Sequence, residues 1–323
     1  MNAGHRIAFL FPGQGSQYVG MGEFLRSSGH EVISTFDEAD AALGFPLSQI
    51  ISEGPEDRLT LTENAQPAIL TVSVAMLRLL ALHGIKPDMA AGHSLGAYSA
   101  LVAAGALQFQ DAVRLVRQRG QLMQQAVEPG MGAMTAILGL DEEKVRVACE
   151  RASHIGIVDP ANFNCPGQIV ISGEKRAVDF ATQVAMELGA RRAIPLAVSG
   201  PFHSRLMAGV VPELSRILRQ TPVGRPETPF VSDTEAKPLS DPEDIRGYLA
   251  RQVERPIRFQ HVMSFMIESG MDTFIEVGPG KVLTGFLRRM PQKVHMVALD
   301  APGYLESLLE ILREDCMQHE ANE

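Results

Sequence analysis

The pentapeptide Gly92-His93-Ser94-Leu95-Gly96 is the feature that most restricts how this chain can fold. It follows a short apolar run, 89–92, and precedes a helical pattern that opens near Tyr98. A strand that turns sharply into a helix around a serine crowds its own backbone, so the residues two before and two after that serine must be small. The turn leaves the Ser94 side chain at a helix N-terminus, where the N–H of Leu95 is placed to meet an oxyanion. The five residues alone also fit a Gly-rich turn with a helix-capping serine. The strand pattern before them and the helix pattern after them favour the nucleophile elbow. His93 is too close along the turn to face Ser94 and reads as a structural histidine.

Around the elbow, short apolar runs alternate with longer amphipathic ones, which predicts an α/β protein. Strands are expected at 7–11, 89–92, 274–277 and 296–299, and helices at 67–82, 98–104, 109–126, 256–269 and 282–288. The middle third has a different rhythm: strand 133–138, helix 142–152, strands 156–158 and 168–172, helix 175–187, strand 192–197. This β-α-β-β-α-β order is the ferredoxin-like arrangement. It predicts a small inserted subdomain at 130–199, with 1–129 and 200–323 forming the larger domain. The segment 221–238 reads as a Pro-rich connector holding one short strand.

At 323 residues the chain is long enough for a full core. The longest apolar stretch, 65–82, is interrupted by Gln66, Pro67 and Arg78 and reads as a buried helix, so no membrane association is expected. The apolar segment at 7–11 is a strand's length and runs into a Gly-rich loop, unlike a signal peptide. A formal net charge of −9 argues against general nucleic-acid binding while leaving room for a local basic patch. Cys149, Cys165 and Cys316 have no metal-ligand spacing and leave an odd thiol if two pair, which points to a reducing, cytoplasmic setting.

A nucleophilic serine needs a general base. Among the nine histidines, His203 stands out because Gly200-Pro201-Phe202 delivers it through a tight turn to a helix start. The same placement also suits a surface or capping histidine.

Several further segments accompany the elbow. They are Phe11-Pro-Gly-Gln-Gly-Ser-Gln17 with Gly20-Met21-Gly22, Gln66-Pro67-Ala68, Gly92 through Ala100, and Arg119-Gly120 with Met123. They continue with Asn162-Phe-Asn-Cys-Pro-Gly-Gln168, Ile171-Ser-Gly173, Pro201-Phe-His-Ser204, Gln252 with Pro256, and Glu276-Val-Gly-Pro-Gly280. In order and spacing, from residue 7 to about 290, this set resembles the malonyl-CoA:acyl carrier protein transacylase family. The resemblance implies an α/β-hydrolase-like larger domain carrying the ferredoxin-like insert. It implies a serine acyltransferase with no metal and no bound cofactor, whose partners are malonyl-CoA, as substrate, and an acyl carrier protein.

Position by position, the resemblance makes Ser94 the acylated residue and His203 its base. A backbone carbonyl at Gln252 would orient the histidine in place of an aspartate, and the Gln14 N–H would join Leu95 in the oxyanion hole. Arg119 would bind the free malonyl carboxylate, its rigid fork matching a carboxylate bidentately. Without the resemblance, Arg119 beside Arg114 and Arg117 reads as part of a solvated basic face. Phe202 would limit branching at the acyl α-carbon, or serve only as core packing. Asn162 and Asn164 would line the pocket mouth, or form an Asn-x-Asn turn before Pro166. Lys281, Arg288 and Arg289 would make a docking patch for the acidic carrier, or ordinary surface charge. Ala97 departs from the glutamate frequent at that position, which leaves the particular carrier open, and Cys165 stands where serine is common. The rival readings are an acyltransferase serving a polyketide assembly line, a hydrolase clearing stalled acyl carriers, and a carrier-binding module without activity.

Overall fold

The computed structural model describes residues 5–320, leaving out 129 and 199 and the side chains of 313–320. Ser199, in the turn before His203, and the Cys316 thiol therefore lie outside the described residues. The chain opens with β1 (Ile7–Phe11), buried along its length. Three helices follow that the sequence patterning did not announce: α1 (His30–Leu43), α2 (Leu47–Glu53) and α3 (Glu56–Thr60). Next come α4 (Thr62–Leu82), β2 (Met89–Gly92), α5 (Gly96–Ala103) and α6 (Phe109–Gln125). α4 starts at Thr62 rather than at Pro67, so the proline sits within the helix. By length and composition α4 could cross a membrane, yet 78% of its apolar window is buried. It packs against α1 and α6 as a core helix.

The middle third holds β3 (Gly132–Leu138), α7 (Glu142–Ala152), β4 (Val158–Cys165), β5 (Gln168–Glu174), α8 (Lys175–Glu187) and β6 (Arg192–Pro195). These strands make their own four-stranded sheet, order β4-β5-β3-β6, with antiparallel pairings. The expected strand at 156–158 is corrected to β4. Its register shifts twice, near Pro160 and near Cys165, so the bulges hide the alternation a regular strand would show. Asn162 and Asn164 accordingly lie on a strand and not in a turn.

The remainder comprises α9 (Val211–Gln220), β7 (Phe230–Val231), β8 (Pro238–Leu239), α10 (Pro242–Gln252), α11 (Phe259–Glu268), β9 (Thr273–Glu276), α12 (Val282–Leu287), β10 (His295–Ala298) and α13 (Tyr304–Glu320). α11 begins at Phe259 and not at Pro256. Ile257 is instead taken by a bridge to Asn162, with the Phe163 N–H donating to its carbonyl at 2.7 Å. The large sheet has six strands in the order β10-β9-β1-β2-β7-β8, parallel except where β8 returns against β7. One face of it packs under α4, α5 and α6, the other under α11 and α12. Coverage on both faces explains why β1 is a continuous apolar run. β1 and β9 are neighbours, and the chain runs from β1 outward to β2 on one side and from β9 outward to β10 on the other, so the connections diverge between them. In open α/β sheets the crevice outside the carboxyl ends of the strands at such a switch is where ligands bind.

Candidate active site

Loops from four strands meet at those carboxyl ends: 12–16 after β1, the elbow after β2, Ser232 and Asp233 after β7, and 277–281 after β9. Small residues are essential at the elbow. A Cβ on Gly92 would lie 1.9 Å from the Gly96 carbonyl carbon, and a Cβ on Gly96 would lie 2.0 Å from the Phe11 carbonyl oxygen. Ser94 itself is held at φ 53°, in the left-handed region that few non-glycine residues adopt. This strained turn lifts its Oγ into a cleft also lined by Gln14, Arg119, Asn162, Phe202 and His203.

His203, likewise at positive φ (60°), places Nε2 2.8 Å from Ser94 Oγ. Its Nδ1 lies 2.9 Å from the Gln252 carbonyl oxygen and 3.2 Å from that of Arg255. The reason a carbonyl is available is local. α10 starts with Asp241 accepting from the Glu243 and Asp244 N–H groups and with Pro242 in its first turn, and it ends at Gln252. The last carbonyls of a helix have no partner in the ladder and carry its negative end. That end faces the imidazole, where a carboxylate would otherwise be needed. Burial, then the nearby Arg119 charge, hold the His203 pKa down at about 3 against the pull of the two carbonyls. The imidazole is neutral and free to accept a proton.

Arg119 is 1% exposed, whereas Arg114 on the same helix is exposed and Arg117 pairs with Glu63. The helix thus turns one of three arginines inward. The partners of that guanidinium are neutral: Gln66 Oε1 at 2.7 Å, Gln252 Oε1 at 3.1 Å and Ser94 Oγ at 3.2 Å. Its Nε has no hydrogen-bond partner among the described residues. The guanidinium also lies 5.4 Å over the Tyr98 ring.

The remaining expected residues fall around this centre. Gln14 lines the cleft, its side chain donating to Thr62 Oγ1 at 3.1 Å. Leu95 follows Ser94 at the start of α5. Phe202 is buried against the cleft, its ring pressed on Gly200. Asn164 Oδ1 lies 2.9 Å from His93 Nε2, so His93 has a structural partner and points away from Ser94. Lys281, Arg288 and Arg289 are exposed around α12, whose Val282, Leu283 and Phe286 line the cleft. Ala97 is fully buried below the elbow. Cys149 and Cys165 are buried free thiols.

One participant escaped the sequence reading. Asp233, fully buried, accepts from the Ser94 N–H at 2.7 Å and from Tyr248 Oη at 2.7 Å. The Gln252 side-chain amide also donates to it, at 3.0 Å from each oxygen. No local pattern marks it: it is one aspartate in a Pro-rich connector.

A serine on a strained elbow, a neutral buried histidine within hydrogen-bond reach and an inward guanidinium define a serine acyl-transfer enzyme. Comparison with known proteins agrees: residues 8–301 match the family model of the acyl transferase domain. The malonyl CoA-acyl carrier protein transacylase of Bacillus subtilis is 47% identical over 96% of this chain and 98% of its own. That of Escherichia coli K12 is 44% identical over 95% and 99%. The solved transacylase of Coxiella burnetii superposes with a TM-score of 0.93 at 39% identity, covering 95% of this chain and 98% of that one. A malonyl-transacylase solved with its type II polyketide acyl-carrier protein gives 0.92 at 43% identity, covering 95% and 99%. The chain belongs to the malonyl-CoA:acyl carrier protein transacylase family.

Proposed function

We propose that Ser94 carries the malonyl group between coenzyme A and an acyl carrier protein in two half-reactions. In the first, Ser94 Oγ attacks the thioester carbonyl while His203 Nε2 takes its proton. The tetrahedral oxyanion is met by the N–H groups of Leu95 and Gln14, neither of which is spent on a protein acceptor among the described residues. The C–S bond then breaks and His203 returns the proton to the departing thiolate. In the second, the phosphopantetheine thiol gives its proton to His203 and attacks the ester, and Ser94 recovers its own proton. The reaction draws on these side chains and the thioester alone, with no cofactor or metal assigned.

The observation that carries the malonyl assignment is Arg119. Its buried fork has neutral partners and lies beside the attacking oxygen, so a substrate carboxylate completes it. An acetyl group would leave it unpaired, at a cost in the transition state. Phe202 limits substituents at the acyl α-carbon, and Asn162 borders the cleft. Lys281, Arg288 and Arg289 rim the mouth and suit an acidic carrier. Residues 130–199 form the inserted subdomain and supply the outer wall of the cleft through Asn162, Val170 and Val198. Buried free thiols accord with a cytoplasmic setting.

Intact-mass measurement after mixing with malonyl-, acetyl- and methylmalonyl-CoA tests the assignment. A malonyl adduct should dominate and vanish in Ser94→Ala; an adduct that survives this change would refute the serine assignment.

A further inference from the structure

We propose that Asp233 is the positioning residue of the nucleophile, its buried carboxylate clamping the Ser94 amide and the Gln252 side chain so that Oγ faces His203 and Arg119 together. This rests on the acyl-serine reading above. In a serine–histidine pair the supporting acid ordinarily stands behind the base. Here the base is held by the Gln252 and Arg255 carbonyls. The carboxylate stands instead behind the serine, at 2.7 Å from its N–H.

The geometry makes this grip specific. A residue held at positive φ relaxes unless its surroundings over-determine it. Ser94 is gripped on both sides: its N–H by Asp233, and its carbonyl by Gln252 Nε2 at 2.9 Å. Gln252 Nε2 in turn faces both Asp233 oxygens, and the two can accept together only while the carboxyl is ionised. The amide oxygen of Gln252 is thereby directed to Arg119. One carboxylate thus fixes nucleophile and guanidinium without touching either reacting group.

The titratable and charged groups that face Asp233 are Tyr248 on α10, Arg119 on α6 and Tyr98 on α5. Arg258, whose N–H binds the Asp233 carbonyl, turns its guanidinium onto Phe163. Burial outweighs the hydrogen bonds and raises the carboxyl to about 6. Protonation below that value turns one oxygen into a donor, which can serve only Tyr248 Oη. The Ser94 and Gln252 N–H groups are then left to share the other oxygen. Because the folded-state value lies above that of the unfolded chain, ionising Asp233 costs stability as pH rises, so a neutral isostere should relieve that cost.

The test is single-turnover malonylation of the full chain, followed by mass from pH 5 to 8.5, in wild type, Asp233→Asn and Asp233→Ala, with thermal melts at pH 8. Wild type should slow below about pH 6. Asp233→Asn should be flat with pH and about tenfold slower than wild type at pH 8, since neutral hydrogen bonds replace charge-assisted ones. It should melt at or above the wild-type temperature and keep the malonyl-CoA KM within about twofold, because the carboxylate does not touch substrate. A residue that merely supports the fold would lose rate and melting temperature together. Asp233→Ala should be slower again; if it does not fold, the Asp233→Asn profile decides. An Asp233→Asn enzyme with the wild-type rate and acid limb, or with its whole loss in KM, overturns the proposal alone. A wild type that forms no adduct at Ser94 overturns the acyl-serine reading and this proposal with it.

Discussion

Arg119 Nη2 donates to Ser94 Oγ at 3.2 Å, so the guanidinium proposed to bind the malonyl carboxylate also touches the proposed nucleophile. Ser94 Oγ is one of the neutral acceptors of this buried cation, with Gln66 and Gln252. In the proposed binding mode a malonyl carboxylate would compete for this donor and leave Oγ to His203.

Arg119→Ala should therefore lose malonyl-CoA far more than acetyl-CoA. Two charge-assisted hydrogen bonds are at stake, so kcat/KM for malonyl should fall about 10²- to 10³-fold, with a much smaller change for acetyl. Steady-state kinetics with both thioesters checks this. An unchanged malonyl preference would show that the specificity lies elsewhere.

His203 supplies a second expectation, because burial first, and the same guanidinium second, depress its pKa to about 3. The sign follows from linkage. A histidine less basic when folded than when unfolded withdraws stability as pH falls from about 6.5 toward 3, since the unfolded chain binds the extra proton. His203→Gln should lose less melting temperature over that window than wild type. A malonyl ester on Ser94, by neutralising Arg119, should move the imidazole back toward ordinary basicity, visible as an upward shift of its titration by NMR. Equal titration in free and malonylated enzyme would contradict the coupling.

The elbow gives a prediction about stability. Gly96→Ala drives a Cβ to 2.0 Å from a main-chain oxygen of β1, which cannot move aside without breaking the sheet. The cost should exceed about 3 kcal/mol, with activity lost alongside. Gly247, inside α10, has nothing within 4 Å of the point where a methyl group would stand, so Gly247→Ala should stabilise by about 0.5–1 kcal/mol. Chemical denaturation of both variants separates crowding from a general dislike of alanine.

How much of this could be read in advance depends on whether a residue's role is local. β1, β2, α7 and α8 were legible because their apolar periods run unbroken to their ends, and Ser94 because its crowding falls on immediate neighbours. β4 was not, since its bulges at Pro160 and Cys165 break the alternation. Nor were α2 and α3, which are too short for a period to establish itself, or α1, whose fully buried positions are only Val32, Thr35 and Ala39. Asp233 lies 139 residues from Ser94 along the chain, and the Gln252 side chain joins them only in the fold. The inward turn of Arg119 was legible only through resemblance, because α6 carries arginines on more than one face.

The role proposed for Phe202 would tie acyl choice to the core, and its replacement should show both effects at once. Its ring is buried beside the base, and any Cβ at Gly200 would fall 2.3 Å from it, so the turn that delivers His203 is built around this ring. Phe202→Ala should cost about 3–5 kcal/mol, the usual range for emptying a buried aromatic site. Phe202 and Arg119 line the same cleft, so in the proposed binding mode the vacated volume would open toward the malonyl α-carbon. An α-methyl group should therefore be admitted, and methylmalonyl adduct at Ser94 should rise relative to malonyl in a competition followed by mass. Phe202→Leu, which keeps most of the volume, should show a smaller loss of stability and an intermediate ratio. A fall in stability with an unchanged adduct ratio would make Phe202 a packing residue only.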